Sequence, residues 1–206
     1  VSLTDENRIF VKQGIELLNE DPRIGIKMLL ELSNITTNID EQTIGFYIAP
    51  KLNSIGRMDS AKVGLSFLMA EDASVAKSLA EQIEEYNVQR KEVTENIVKD
   101  VIETIENNDI KNKSVIMVSG DYHEGVLGIV ASNIAEKYQR PVLIMNKKEG
   151  ILKGSARSVF DFNIYTAINK IGDKFIAYGG HTLAAGFSFN EQNFKEIEKA
   201  LCDEFD

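Results

Sequence analysis

Three stretches of this sequence gather glycine around side chains able to hold an oxyanion. In "YGGHTLAAGFSF" (residues 178–189), His181 follows Gly179 and Gly180 and precedes Ala184, Ala185 and Gly186. Glycine allows backbone conformations or close approaches that a side chain blocks, and an imidazole can donate to a phosphate oxygen or a base edge. The structural alternative is a tightly packed turn with a satisfied histidine. In "KGSARSVFDF" (153–162), Gly154 offers access, Ser155 and Ser158 offer hydroxyls, and Arg157, one of six arginines, offers a fork for phosphate or carboxylate. Its alternative is a salt-bridged structural arginine. In "SGDYHEGVLGIVAS" (119–132), a strand end leads through His123, Glu124 and Gly125 into a helix whose first N–H groups suit an anion. Taken alone, this stretch favours the other reading, an ordinary βα turn with an exposed histidine. A fourth stretch, "LNSIGRM" (52–58), sets Arg57 after Gly56 at a helix break with Asn53 one turn before it, which is also a common helix C-terminus.

The chemistry that is missing narrows the reading. Two histidines 58 residues apart and one cysteine cannot form a zinc cluster of usual spacing. No tight set of aspartates marks a two-metal centre, and neither a Walker loop nor a nucleophile elbow occurs. These residues can hold a phosphorylated ligand, but no group that would cut it stands out.

The elements that must position them divide the 206 residues in two. Apolar periodicity predicts helices over 4–20, where Ile9, Phe10, Ile15, Leu17 and Leu18 repeat, and over 24–34. A third, capped by Asp40, runs over 41–53 and is bent or shortened by Pro50, and a fourth covers 60–70. Residues 72–106 contain neither Gly nor Pro and carry a narrow stripe, Val75, Leu79, Ile83, Tyr86, Val93, Ile97, Val101 and Ile105. Such a helix is about 50 Å long. It packs on its own domain or, as we favour, joins two domains, since the composition changes just after it.

From 114 the period switches. Strands are expected at 114–120, 141–145, 151–158 and 183–189, with helices at 125–138, 163–172 and 191–205. That alternation describes an α/β domain with a mixed sheet flanked by helices. The expected divisions are a helical segment (1–71), the long connecting helix (72–107) and the α/β domain (108–206). Nine of the 14 glycines lie between 120 and 186.

A net charge of −9 argues against a nucleic-acid partner on its face. The acidity is local, however. Residues 1–106 hold 11 basic and 19 acidic side chains and residues 107–206 hold 12 and 13, while 137–157 has six basic residues against Glu149 alone. A basic face in the second half is compatible with the total. Cys202 as the single cysteine rules out an internal disulfide and suits a reducing cytoplasm. No run of about 18 apolar residues spans a membrane, and the start, without Met or a basic-then-apolar leader, points to a piece of something longer.

The four stretches, in this order, resemble the RecJ family of single-strand-specific 5′→3′ exonucleases in the DHH phosphoesterase superfamily. "GGHTLAAGF" alone is similar to the DHH-associated domain, which also occurs in nano-RNases and, more distantly, alanyl-tRNA synthetases. "YHEGVLGIVASNIAEKYQRPVLIM" resembles a RecJ segment more specifically, although Tyr122 stands where many relatives have tryptophan. "GSARS" and "LNSIGRM" resemble two further motifs, and the likeness runs over nearly the whole chain.

The resemblance implies a C-terminal core fragment of an exonuclease of DNA repair and recombination. The Asp-His-His signature is not in this chain. It implies Mn²⁺ or Mg²⁺ in a missing catalytic domain of the full-length enzyme, none held by this fragment, and no activity of the fragment alone. Arg157, Ser155 and Ser158 would hold phosphate oxygens near the 5′ end, with Gly154 among them. His123 and His181 would face a cleft from opposite loops and touch phosphate near the metals. Gly179 and Gly180 would let the strand approach, and Arg57 with Asn53 would line the entry. The implied partners are single-stranded DNA, a single-strand-binding protein and a RecQ-type helicase, acting on a monomer. The competing readings are a sister phosphoesterase for short oligonucleotides or cyclic dinucleotides and a non-catalytic nucleic-acid-binding module.

Overall fold

The structure, a computed structural model, describes residues 2–36, 38–159 and 162–205. The chain ends Val1 and Asp206 of the expected segments, and Phe160 and Asp161 of "KGSARSVFDF", lie outside the described residues. It divides into two compact units, Val1–Lys91 and Glu92–Asp206.

The first unit is helical. Helices α1 (Asp5–Glu20) and α2 (Ile24–Leu32) follow the predicted periodicity. Then α3 (Glu41–Thr43) passes through a π-helical turn, Ile44–Ile48, into α4 (Ala49–Met58), and α5 (Lys62–Leu68) follows. Asp40 caps α3 as expected, its Oδ1 accepting from the Thr43 N–H at 2.7 Å. Pro50 does not stop the helix. It sits in the first turn of α4, where a missing N–H costs least, and the π turn just before it absorbs the misfit. Gly56 and Arg57 stand in the last turn of α4, which ends at Met58. The core joins Ile26, Leu29, Ile48, Ile55 and Phe67 to Ala80 and Ile83 of α6 (Ala73–Asn107). No residue of α1 is buried, and Ile9, Phe10 and Leu17 are exposed.

Helix α6 runs from the first unit into the second. Its buried positions are Ala76, Ala80, Ile83, Asn87, Thr94, Ile97, Val101 and Ile105. Spacings of three, four and seven define one narrow stripe. The expected Val75 is exposed and its neighbour Ala76 takes its place, because a small alanine hidden against the core leaves no mark in a count of large apolar residues.

In the second unit the strands are β1 (Ile116–Gly120), β2 (Val142–Lys148), β3 (Ile151–Arg157), β4 (Ala177–His181) and β5 (Ala184–Asn190), in the order β1-β2-β3-β5-β4. β1 and β2 are parallel, joined through α7 (Leu127–Tyr138), and the other pairs are antiparallel. The β2–β3 hairpin turns on Glu149 and Gly150, with φ of 52° and 76°. Two positive φ values match a type I′ turn, whose twist suits the strands. One face packs Met117, Leu143, Met145, Leu152, Ala156, Phe187 and Phe189 against α8 (Ile164–Lys170) and α9 (Phe194–Phe205). On the other face Ile116, Val118, Val142 and Ile144 are buried, as are Val126, Val130 and Ile134 of the α7 region. No helix among the described residues is long and apolar enough to cross a membrane.

Strand β4 is the element that the sequence did not predict. Its Gly179-Gly180 pair has low strand propensity, but pairing with β5 overrides that preference. Gly180 is needed for packing, since a Cβ there would lie 2.3 Å from the Ala184 carbonyl oxygen, whereas one on Gly179 would meet nothing within 4 Å. Gly180→Ala should therefore destabilise by about 1–3 kcal/mol, and Gly179→Ala should be neutral or stabilising by up to about 1 kcal/mol. Urea unfolding of the two variants checks the contrast, and equal losses would refute the assignment of Gly180 to packing.

Candidate nucleic-acid interface

Side chains alternate across a strand, so cross-strand rows define which residues share a face. Val142, Arg157, Ala184 and His181 form one row over β2, β3, β5 and β4, and Ile144, Ser155, Gly186 and Gly179 form the next. Asn146, Lys153, Ser188 and Ala177 form the third. This is the α7 face. Gly128, in the first turn of α7, lies on it so closely that a Cβ would come within 2.8 Å of an Arg157 terminal nitrogen and 3.3 Å of Ser155 Oγ. Helix α7 thus shelters β2 and the near side of β3. On β5 and β4 the same face is open, with Gly179, Gly186 and His181 all exposed.

Arg157 is half-buried, and its Nη1 donates to Ser155 Oγ at 2.9 Å and to the Ala156 carbonyl at 2.8 Å. Arg157 and Ser155 are therefore brought together, as the motif suggests. Ser158 is turned elsewhere. Its hydroxyl donates to the Phe162 carbonyl at 2.7 Å, and its N–H donates to the Leu183 carbonyl at 2.9 Å. The backbone bond ties the end of β3 to the β4–β5 hairpin, and the hydroxyl bond is local. Gly154 lies on the opposite face, where a Cβ would meet the Ile144 carbonyl at 2.5 Å and Phe187 at 2.7 Å. Its lack of a side chain serves the core and not ligand access. Gly186, by contrast, shares the open space of Gly179, since a Cβ on it would meet nothing within 4 Å.

His181 ends strand β4 and is not on a loop. His123 does sit in the loop after β1, exposed, its Nδ1 accepting from the Gly125 N–H at 3.2 Å. That loop is anchored by Tyr122, buried over Gly120. The Tyr122 hydroxyl donates to Asp100 of α6. Burial, then the bond and the negative charge of Asp100, push its phenol well above the usual tyrosine range. At the far end of α7, the Tyr138 hydroxyl donates to Glu106 at 2.7 Å, and burial followed by that carboxylate pushes it up to about 12. Glu124 is held below the usual carboxylate range, first by its bond with Lys153. Asn53 is exposed and Arg57 half-buried in α4 of the first unit.

Sequence reading missed Gly128 and Lys153. A lone glycine in a helical pattern gives no sign of what lies opposite it, and Lys153 shows its face only through the alternation Lys153-Ser155-Arg157. Among the described residues no three His, Cys, Asp or Glu side chains come together as a metal-ion set.

Comparison with known proteins adds an independent line. Residues 111–206 match the DHHA1 domain. The chain is 32% identical over 204 residues to the single-stranded-DNA-specific exonuclease RecJ of Bacillus subtilis, covering 98% of this chain and 26% of that protein. It is 34% identical over 211 residues to the enzyme of the same name from Haemophilus influenzae, covering 96% and 36%. It also superposes on the crystal structure of RecJ in complex with Mg²⁺ from Thermus thermophilus with a TM-score of 0.88 at 28% identity, covering 100% of this chain and 32% of that one. The chain thus spans only about a quarter to a third of the length of these relatives.

Because both phenols are shifted upward, the folded state holds protons that the unfolded state releases above about pH 10. Stability should therefore fall as pH rises from there through the raised folded values. In a near-ultraviolet absorbance titration, Tyr122→Phe should remove one late-ionising phenol and lower stability by about 1 kcal/mol. An unchanged number of late phenols would contradict the Asp100 bond.

Proposed function

The chain belongs to the RecJ family, with a DHHA1 domain at residues 111–206, and from that premise we propose that it is the strand-positioning part of a single-stranded-DNA-specific 5′→3′ exonuclease. Arg157 and Ser155 hold a phosphate near the 5′ end, beside the first turn of α7. His181 and His123 approach the same face from β4 and from the loop after β1. Gly179 and Gly186 leave the sheet flat where the nucleic-acid backbone passes. In the whole protein, divalent Mg²⁺ or Mn²⁺ supplies the hydrolytic chemistry from outside this chain, so the chain alone should not cleave DNA.

The observation that carries this reading is the row Ser155-Gly186-Gly179. It is polar at one end and bare at the other, and it sits beside a half-buried arginine. A bound oxyanion placed there gains from the guanidinium and from the helix N-terminus together. The family setting adds DNA repair and recombination in the cytoplasm. A single-strand-binding protein and a RecQ-type helicase would be partners of a monomeric enzyme. A sister phosphoesterase for short oligonucleotides is the rival, and activity of the whole protein that fails to persist on longer strands would favour it.

The test is fluorescence anisotropy of the chain with a 5′-phosphorylated single strand and a matched duplex at low and moderate salt. Single-strand binding should weaken with salt, and Arg157→Ala should weaken it by about tenfold or more, the scale of a lost charge-assisted bond. Gly186→Val should also weaken it while leaving thermal stability intact, because the added side chain enters open space. Undiminished binding by both variants would remove this face from the interface.

A further inference from the structure

The third row of the open face holds an anion-binding position already filled by the protein itself. On β3 the residues Arg157, Ser155 and Lys153 point the same way, about 6.6 Å apart at each step. That interval is comparable with the repeat of an extended phosphodiester backbone. Lys153 pairs in register with Asn146 on β2 and Ser188 on β5. Its Nζ lies 2.5 Å from Glu124 Oε2. After Lys153, Asn146 and the charge of Lys148 also favour the ionised form of the Glu124 carboxylate. The amide of Asn146 is oriented for this, since its Oδ1 accepts from the Tyr122 N–H at 3.2 Å, which turns its N–H₂ away from Tyr122. Glu124 stands in the short 3₁₀ turn that runs into α7.

We propose that Lys153, Asn146 and Lys148 form a second phosphate-binding position, which the Glu124 carboxylate occupies until a nucleic-acid strand displaces it. The proposal rests on the interface reading above and extends it two residues along β3. The Lys153 and Glu124 side chains are 63% and 44% exposed, and an ion pair so exposed is weak and salt-sensitive. A phosphate therefore exchanges with the carboxylate at little cost. The displaced carboxylate then repels the strand, which keeps the hold on it moderate and favours release. A chain that must pass successive nucleotides across one face gains from such a competitor. Nothing in an N-terminal turn requires its acid to reach across to two strands.

The experiment measures anisotropy of a short labelled oligothymidine against the unaltered chain, Glu124→Gln, Lys153→Gln, the double variant and Arg157→Ala, over a salt series. Glu124→Gln should bind about threefold more tightly, the scale of one weak surface pair. Lys153→Gln should bind several-fold more weakly, with the log–log salt slope reduced by about one. In the Lys153→Gln background the gain from Glu124→Gln should vanish. Thermal midpoints are recorded alongside. Lowered midpoints with unchanged affinities in both single variants would show a purely structural ion pair and overturn the proposal. If the unaltered chain binds and Arg157→Ala weakens it, but Glu124→Gln and Lys153→Gln match the unaltered chain, the second position is wrong while the interface stands. If the unaltered chain binds no single strand, both readings fall together.

Discussion

The close contact between Gly128 and Arg157 sets the geometry on which the open face depends. A Cβ at 128 would come within 2.8 Å of the guanidinium, so a side chain there would push the end of Arg157 aside. The packing of α7 on the sheet does three things together. It brings the helix N-terminus to the sheet and partly buries the arginine. It also leaves α7 over β2 and the near side of β3, so that β5 and β4 stay bare. A helix N-terminus and a guanidinium side by side both favour an oxyanion, and Ser155 already fixes the orientation of the fork.

The composition of the face determines the kind of recognition it can perform. Its three rows over β3, β5 and β4 hold Arg157, Ser155, Lys153, Ala184, Gly186, Ser188, His181, Gly179 and Ala177. No Phe, Tyr or Trp stands among these nine positions. Most sequence-tolerant single-strand binders combine basic grooves with stacked aromatics, and here only the backbone-tracking half of that scheme is present. On the proposed function, such a face reads phosphate and shape but not base identity, as a substrate of arbitrary sequence requires. That reading is compatible with a net charge of −9, because it needs only a few donors at short range and the acidic side chains are concentrated in residues 1–106.

The sequence revealed side chains more readily than the spaces between them. Helical periodicity located α1, α2 and α6, and the change of period located β1, β2, β3 and β5. Strand β4 escaped, because two adjacent glycines read as a turn until β5 supplies hydrogen-bond partners. The burial of Asn87 and Thr94 on α6 also escaped, since polar residues break an apolar count. Arg157 and Ser155 were legible as a pair, because a short spacing on one strand keeps them on one face. Ser158 looked equivalent from its spelling, yet one residue further along the chain leaves the strand and the hydroxyl closes a loop. Glycines were the least legible. Gly154, Gly179, Gly180 and Gly186 are the same letter, and only the atoms opposite them distinguish core packing from open space.

That distinction separates a binding face from a scaffold with ordinary turns. A glycine in a strand has two structural justifications, a positive φ or a neighbour that leaves no room for Cβ. Among the described glycines only Gly150 has a positive φ. Gly154 and Gly180 have the crowded neighbours. Gly179 and Gly186 have neither, although they stand opposite each other in register on β4 and β5. Each weakens its strand by about 0.5–1 kcal/mol relative to alanine, with no return in packing or conformation. A scaffold would gain from two side chains at that pair. A surface against which a polymer backbone must lie flat would lose by them, and the pair sits in the same row as Ser155, next to the row of Arg157 and His181. The bare pair is therefore best explained by what passes over it.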